Sequence, residues 1–186
     1  MQGNFSKALT IVPEVEEKLK EYALFVDSHR ILVFNYKFAS LYFGARKYAT
    51  AIDYLHKIIN DNQPGLRNDL QCYARLMHLL CHYEIGNEEI LDSLIKSVYR
   101  YMARLKNLTV VEEEIFTFLR HSTKVKPKEL IPELKQFLEK IKHLEKNRFE
   151  TRAFAYLDII SWVESKVYGK PMSEIIHNKY LESKRR

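Results

Sequence analysis

The chain has 186 residues, of which 46% are hydrophobic and 29% are charged, and its formal net charge is +6. This length is enough to bury a sizeable core as one domain. No run of about 18 apolar residues occurs, and the first residues lack a basic region followed by an apolar run and a cleavage site. The sequence therefore predicts neither a membrane span nor a signal peptide, and we expect a cytoplasmic location.

Apolar residues recur at helical spacing along almost the whole chain, whereas strand-like alternation is missing outside short apolar runs. Only five glycines and five prolines are available for loops, and most of them stand between the helical segments. Pro13 either kinks the first helix or starts a second one. The pattern predicts an all-α protein of about nine helices over residues 5–12 and 14–25, 29–44, 48–60, 69–85, 88–105, 110–122, 128–146, 149–168 and 172–181.

The segment 32–64 shows how these helices are expected to pack. It contains two amphipathic helices joined by a short turn that begins at Gly44, and helices joined so tightly must be antiparallel neighbours. Segments that resemble its second helix, which begins at residue 48, begin at residues 5, 88, 128 and 171. The steps between successive starts are therefore 43, 40, 40 and 43 residues. A nearly constant step in a helical pattern indicates a repeat architecture.

Within this segment, Tyr42 precedes Tyr48 by six places, and Ala51 and Ile52 follow three places on. This pattern resembles a tetratricopeptide repeat, although the step exceeds the usual spacing of about 34 residues. The resemblance implies a right-handed superhelix of antiparallel helix hairpins, an α-solenoid. The physical reason is close packing, because a small residue lets two helices approach while aromatic rings fill the wedge between successive helices.

The interpretation as a helical repeat protein divides a single domain into a partial repeat at residues 1–27 and hairpins at 28–65, 66–106, 107–147 and 148–186. Internal repeats expose an apolar face to each neighbour, so the ends of an array need polar caps. The first unit, residues 5–12, lacks the helix that should cover it. We therefore expect either a fragment of a longer chain or a homo-oligomer that covers this end by self-association.

The resemblance also implies a function. In this family the first helix of each repeat lines a concave surface that receives a peptide or a partner helix, so the sequence predicts a non-catalytic scaffold that binds another protein and carries no cofactor. The residues expected along that groove are Tyr36, Ser40, Phe43, Tyr73, Leu76, Tyr83, Phe116 and Arg120.

A structural ion pair is expected between Arg100 and Glu114. Glu114 lies between Val111 and Phe118 on the apolar stripe of its helix, so its carboxylate needs a partner. If the helices 88–105 and 110–122 are antiparallel, Arg100 falls within about one turn of Glu114. We expect this pair to be structural rather than catalytic.

Other reactive side chains do not form a recognisable catalytic or metal motif. His78 and His82 stand four apart on one helix next to Cys81, but no glutamate occupies the HExxH position. We therefore assign no metal site and interpret these residues as helix-packing groups. Cys72 and Cys81, nine apart on one helix, are about 13 Å from each other and cannot form a disulfide. The chain also lacks a Gly-rich phosphate loop and a nucleophile turn.

The alternative function depends on charge. Residues 120–148 carry nine basic and four acidic side chains, whereas residues 1–119 are nearly neutral. This basic segment could bind nucleic acid or another anion, or it could be a solvated helix surface. The absence of a zinc finger or an RNP-like aromatic motif weighs against nucleic acid. A regulatory domain of a larger signalling protein is a third possibility.

Overall fold

A computed structural model describes residues 2–22, 24–61 and 67–185 of this chain. Helices make up 79% of the structure, and the described residues contain no strand, so the all-α prediction is confirmed. The described residues form ten helices. They are α1 (Phe5–Glu21), α2 (Ser28–Gly44), α3 (Tyr48–Ile59), α4 (Asn68–Ile85), α5 (Glu88–Arg104), α6 (Val110–Ser122), α7 (Pro127–Leu144), α8 (Thr151–Tyr156), α9 (Ile159–Val167) and α10 (Met172–Lys184).

The helices belong to two compact units. The N-terminal unit is Asn4–Asn87, and the C-terminal unit is Glu88–Arg186 together with Met1–Gly3. The hairpin predicted over residues 66–106 therefore has its first helix, α4, in one unit and its second helix, α5, in the other. The superhelical arrangement of the hairpins stays a prediction.

In the N-terminal unit, α2 packs against α3, α3 against α4, and α1 against α2. The side chain of Asp27 begins α2 by accepting a hydrogen bond from the Arg30 amide. α1 is one continuous helix with Pro13 inside it, so the proline does not start a second helix. Because a proline costs an internal helix bond, the packing of α1 must offset that loss.

The apolar face of α1 is covered within the chain. Phe5 and Val12 are both buried, and a Cβ at Gly44 of α2 would lie only 2.3 Å from the Phe5 ring. A glycine at this position therefore lets the Phe5 ring lie directly on the backbone of α2. These two residues are therefore covered within the chain, while self-association through this end stays a prediction.

In the C-terminal unit, α6 and α9 both pack against α7, α5 packs against α6, and α10 packs against α9. The predicted helix 149–168 is instead two helices, α8 and α9. Leu157 is extended between them, and Asp158 begins α9 by accepting a hydrogen bond from the Ser161 amide. Asp158 favours a helix start because its side chain competes for backbone donors.

The first residues of the chain also pack into the C-terminal unit. The Gln2 carbonyl lies 3.1 Å from Nδ1 of His177 on α10, and Gln2 Nε2 donates to the Tyr180 hydroxyl at 3.2 Å. Gly3 has a φ of +74°, and a Cβ there would lie 2.3 Å from the Ser173 carbonyl oxygen. Both the left-handed conformation and the close approach require glycine.

Candidate functional site

The groove predicted from the tetratricopeptide resemblance is not an exposed surface. Five of its eight residues are at most 6% exposed, namely Tyr36, Phe43, Tyr73, Leu76 and Phe116. The rings of Phe43 and Phe116 pack inside the two units. The Phe43 ring meets Tyr48 edge to face with ring centres 5.5 Å apart, and the Phe116 ring meets Tyr99 at 5.3 Å. These side chains are core residues because burying such rings stabilises helix packing.

The three other groove residues are at least partly accessible. Ser40 is half-buried, and its hydroxyl donates to the Tyr36 carbonyl of its own helix at 2.8 Å. Tyr83 is half-buried, whereas Arg120 is exposed and its guanidinium lies 4.5 Å from the centre of the Tyr99 ring. Arg120 and Phe116 belong to the C-terminal unit, whereas the other six belong to the N-terminal unit.

The partner predicted for Glu114 is wrong. Its carboxylate pairs with the Lys140 ammonium on α7 at 3.1 Å, and Arg100 donates from Nε to the Lys96 carbonyl of its own helix at 3.3 Å. The reason is packing: Glu114 turns towards α7, which α6 contacts, and Arg100 lies on an exposed side of α5. The buried carboxylate of α6 is Glu112 instead.

Alanine at Arg100 is therefore expected to change the free energy of unfolding by less than about 0.5 kcal/mol, as for an exposed residue. A double-mutant cycle between Glu114 and Lys140 should show a coupling of about 0.5 kcal/mol, because the pair is partly solvated. Urea unfolding of the single and double variants measures both values. A coupling above about 1 kcal/mol between Arg100 and Glu114 would contradict the assignment.

Part of the basic segment 120–148 is used inside the C-terminal unit. Lys140 pairs with Glu114, and Lys142 on α7 pairs with Glu164 on α9 at 2.5 Å. The hydrogen bond to Glu164 is the main reason why the pKa of Lys142 is raised, and burial partly opposes this effect. These two lysines hold neighbouring helices together, which leaves fewer charges of the segment for an anionic partner.

Three histidines from two helices lie in contact, and only two of them are close together in the sequence. His56 on α3, together with His78 and His82 on α4, makes up the histidine cluster. The Nε2 atom of His78 lies 3.1 Å from Nε2 of His56 and 3.2 Å from Nε2 of His82. His56 is 22 residues from His78, so spacing along one helix could reveal only the pair on α4. Among the described residues, no three His, Cys, Asp or Glu side chains are arranged to hold a metal ion.

Both cysteines are buried, and they do not form a disulfide with each other, as the spacing argument predicted. Burial raises the pKa of Cys81, with a further contribution from the nearby Glu84 carboxylate. A buried thiol held neutral is a poor nucleophile. Cys81 is therefore suited to packing rather than to covalent chemistry.

The most exposed apolar side chains lie between α1 and α2. The apolar loop is defined here by Tyr22, Leu24 and Phe25; Leu24 is 95% exposed and Phe25 is 83% exposed. The predicted helix 14–25 includes these residues, but α1 ends at Glu21. The Asp27 cap predicts where α2 begins, but it does not show where α1 ends.

A cleft of about 320 Å³ opens immediately after the apolar loop. Its surface is largely apolar, and this α2 cleft is lined by Asp27, His29, Arg30, Val33, Phe34 and Arg67. Val33 and Phe34 supply the apolar wall from α2, where they stand one turn after Arg30. Phe34 is supported from behind by Phe38, whose ring centre lies 6.1 Å away.

The charges at the edge of the α2 cleft are arranged in pairs. Arg30 contacts Asp27 at 3.4 Å, and Arg67 holds Asp69 with two hydrogen bonds of 3.0 and 3.1 Å. Two cations are thus balanced by two anions. Such an edge favours neither a strongly acidic nor a strongly basic ligand.

Comparisons with known proteins found no matching family model, no matching curated protein and no matching solved structure. None of the described helices is both long and apolar enough to cross a membrane.

Proposed function

We propose that this chain is a non-catalytic protein-interaction module, and that its α2 cleft receives a large apolar side chain from an extended peptide segment of a partner protein. The observation that carries the proposal is an exposed apolar loop followed directly in the chain by residues that line an apolar cleft. Phe25 stands two residues before Asp27, the first residue of the cleft lining. Exposed apolar groups grouped in this way are typical of protein-binding surfaces.

The size and the charge of the α2 cleft favour this occupant. A cleft of about 320 Å³ accepts one or two side chains rather than a whole helix. Val33 and Phe34 offer apolar contact, while the paired Asp27 and Arg30 offer a hydrogen-bond acceptor and a donor to a peptide backbone. A nucleic acid would find no net positive charge at this edge and is disfavoured.

The test is selection of phage-displayed peptides on the full chain, followed by affinity measurement with the selected peptides. They are expected to share one large apolar residue, and Val33→Asp should weaken their binding by at least about tenfold because it places a carboxylate on the apolar wall. Phe25→Ser should weaken binding as well. Phe149→Ser is the matched control, since Phe149 is similarly exposed but belongs to the C-terminal unit.

Three outcomes would overturn the proposal. The selected peptides could bind Val33→Asp as tightly as the natural chain, or they could lack a common apolar residue. Light scattering could also show a dimer that Phe25→Ser dissociates, in which case a second copy covers this surface. For the anion-binding alternative, charge reversal at Lys135 is a cleaner probe than at Lys142, because Lys142 also holds α9.

A further inference from the structure

We propose that the histidine cluster is an acid-sensitive latch that joins α3 to α4 and opens when its imidazoles become protonated. The three Nε2 atoms face one another at 3.1 and 3.2 Å, so at most one of each contacting pair can carry a proton at that nitrogen. His78, which contacts both other rings, therefore cannot take up a proton at Nε2 while either neighbour carries one there. This inference is independent of the α2 cleft.

The hydrogen bonds of His82 show how the neutral cluster is arranged. The Asn87 amide nitrogen lies 2.8 Å from Nδ1 of His82. When this amide donates to Nδ1, the proton of neutral His82 stands on Nε2 and is donated to Nε2 of His78. His78 then carries its own proton on Nδ1. Protonation of His78 at Nε2 would point one N–H at another and break this arrangement.

Burial and the neighbouring groups all oppose protonation of His78 and His82. Burial is the main reason why the pKa of His78 is lowered to about 4, and His82, His56 and Arg75 lower it further. Burial and then His56 also lower the pKa of His82. Within the part of the chain that the structure describes, the titratable groups that shift the pKa of these two rings come from α3 and α4, and none of them is a carboxylate.

The latch lies beside a second connection that does not depend on a histidine. Gln71 of α4 donates to the Ile58 carbonyl at 2.6 Å, and Arg75 donates to the Ile59 carbonyl at 3.2 Å. These bonds hold the last turn of α3. Acid should therefore loosen the contact around His56 first, while the end of α3 stays attached to α4.

The direction of the pH effect follows from linkage. A histidine whose pKa is lower in the folded than in the unfolded chain contributes full stability above the unfolded value, and that contribution is lost as pH falls. For His78 the window runs from about 6.5 down to about 4. At pH near 5 most carboxylates are still ionised, so the effect of the latch is separable from general acid unfolding.

Hydrogen exchange of the full chain at about pH 7.5 and pH 5 tests the latch, with rates expressed as protection relative to an unstructured peptide. We expect protection in α3 and α4 to fall about tenfold at the lower pH, with little change in α6, α7 and α9. His78→Gln should abolish most of this fall, because His78 is the ring that burial keeps unprotonated. His143→Gln, an exposed change in the C-terminal unit, should leave it intact.

A fall shared equally by α6, α7 and α9 would overturn the latch, as would unchanged protection of α3 and α4 at pH near 5. Retention of the full effect in His78→Gln would do the same. Since His78→Gln could itself disturb folding, an NMR titration of the natural chain supplies a second measurement. His78 is expected to titrate well below the ordinary histidine range, and a midpoint near 6.5 would contradict the proposal.

Discussion

Replacing Glu164 by alanine is expected to lower the free energy of unfolding by about 3 kcal/mol. Its carboxylate is 8% exposed and contacts two ammonium groups, Lys142 of α7 at 2.5 Å and Lys179 of α10 at 2.7 Å. Lys179 also donates to the Ser161 hydroxyl at 2.9 Å. Removing the carboxylate leaves two like charges close together, although both lysines are exposed enough to regain water, which keeps the cost at the lower end of the range for buried pairs.

The measurement is urea unfolding, with Glu174→Ala as the control. Glu174 pairs with Lys170 one turn away on the surface, so its loss should cost less than about 0.5 kcal/mol. Burial raises the pKa of Glu164, but the hydrogen bonds and charges of Lys142 and Lys179 outweigh burial and lower it. The stabilisation is therefore present above the ordinary carboxyl range and is lost as pH falls below it. A cost below about 1 kcal/mol at neutral pH would show that the two lysines are not held by this carboxylate.

Replacing Glu150 by alanine should destabilise the C-terminal unit by about 3 kcal/mol, because several donors lose one acceptor. Glu150 is 4% exposed and accepts hydrogen bonds from the Thr109 hydroxyl and from the Val110 and Val111 amides. A carboxylate some 40 residues away in sequence thus caps the start of α6, where the helix dipole also favours negative charge. Thermal unfolding followed by circular dichroism checks the loss.

Two further variants separate the effect of the Glu150 charge from the effect of its hydrogen bonds. Glu150→Gln keeps one acceptor and should cost less than the alanine change, whereas Glu145→Ala, an exposed position after α7, should be close to neutral. Equal costs for the glutamine and alanine variants would assign the effect to the negative charge. A cost below about 1 kcal/mol for Glu150→Ala would contradict its role as a cap.

The chain's own periodicity and local capping signals predicted most helix boundaries. α2 to α7 begin and end within about two residues of the predicted positions, because caps such as Asp27 and stops such as Gly86 act on the backbone nearest to them. The misplaced boundaries follow the same logic. Asp158 begins a new helix inside a segment predicted to be continuous, and α1 ends at Glu21, which leaves the apolar loop exposed.

Side-chain partners were decided by the tertiary structure alone. Periodicity shows that Phe116 and Tyr73 lie on an apolar face, but it does not distinguish a face packed in a core from one that lines an open groove. Glu114 meets Lys140 across 26 residues, and His56 meets His78 across 22. Helix formation depends on neighbours within one or two turns, whereas each of these contacts depends on which helices pack together and at what rotation. The sequence by itself therefore determined an all-α chain and most of its helices, while the α2 cleft and the histidine cluster exist only through packing between helices.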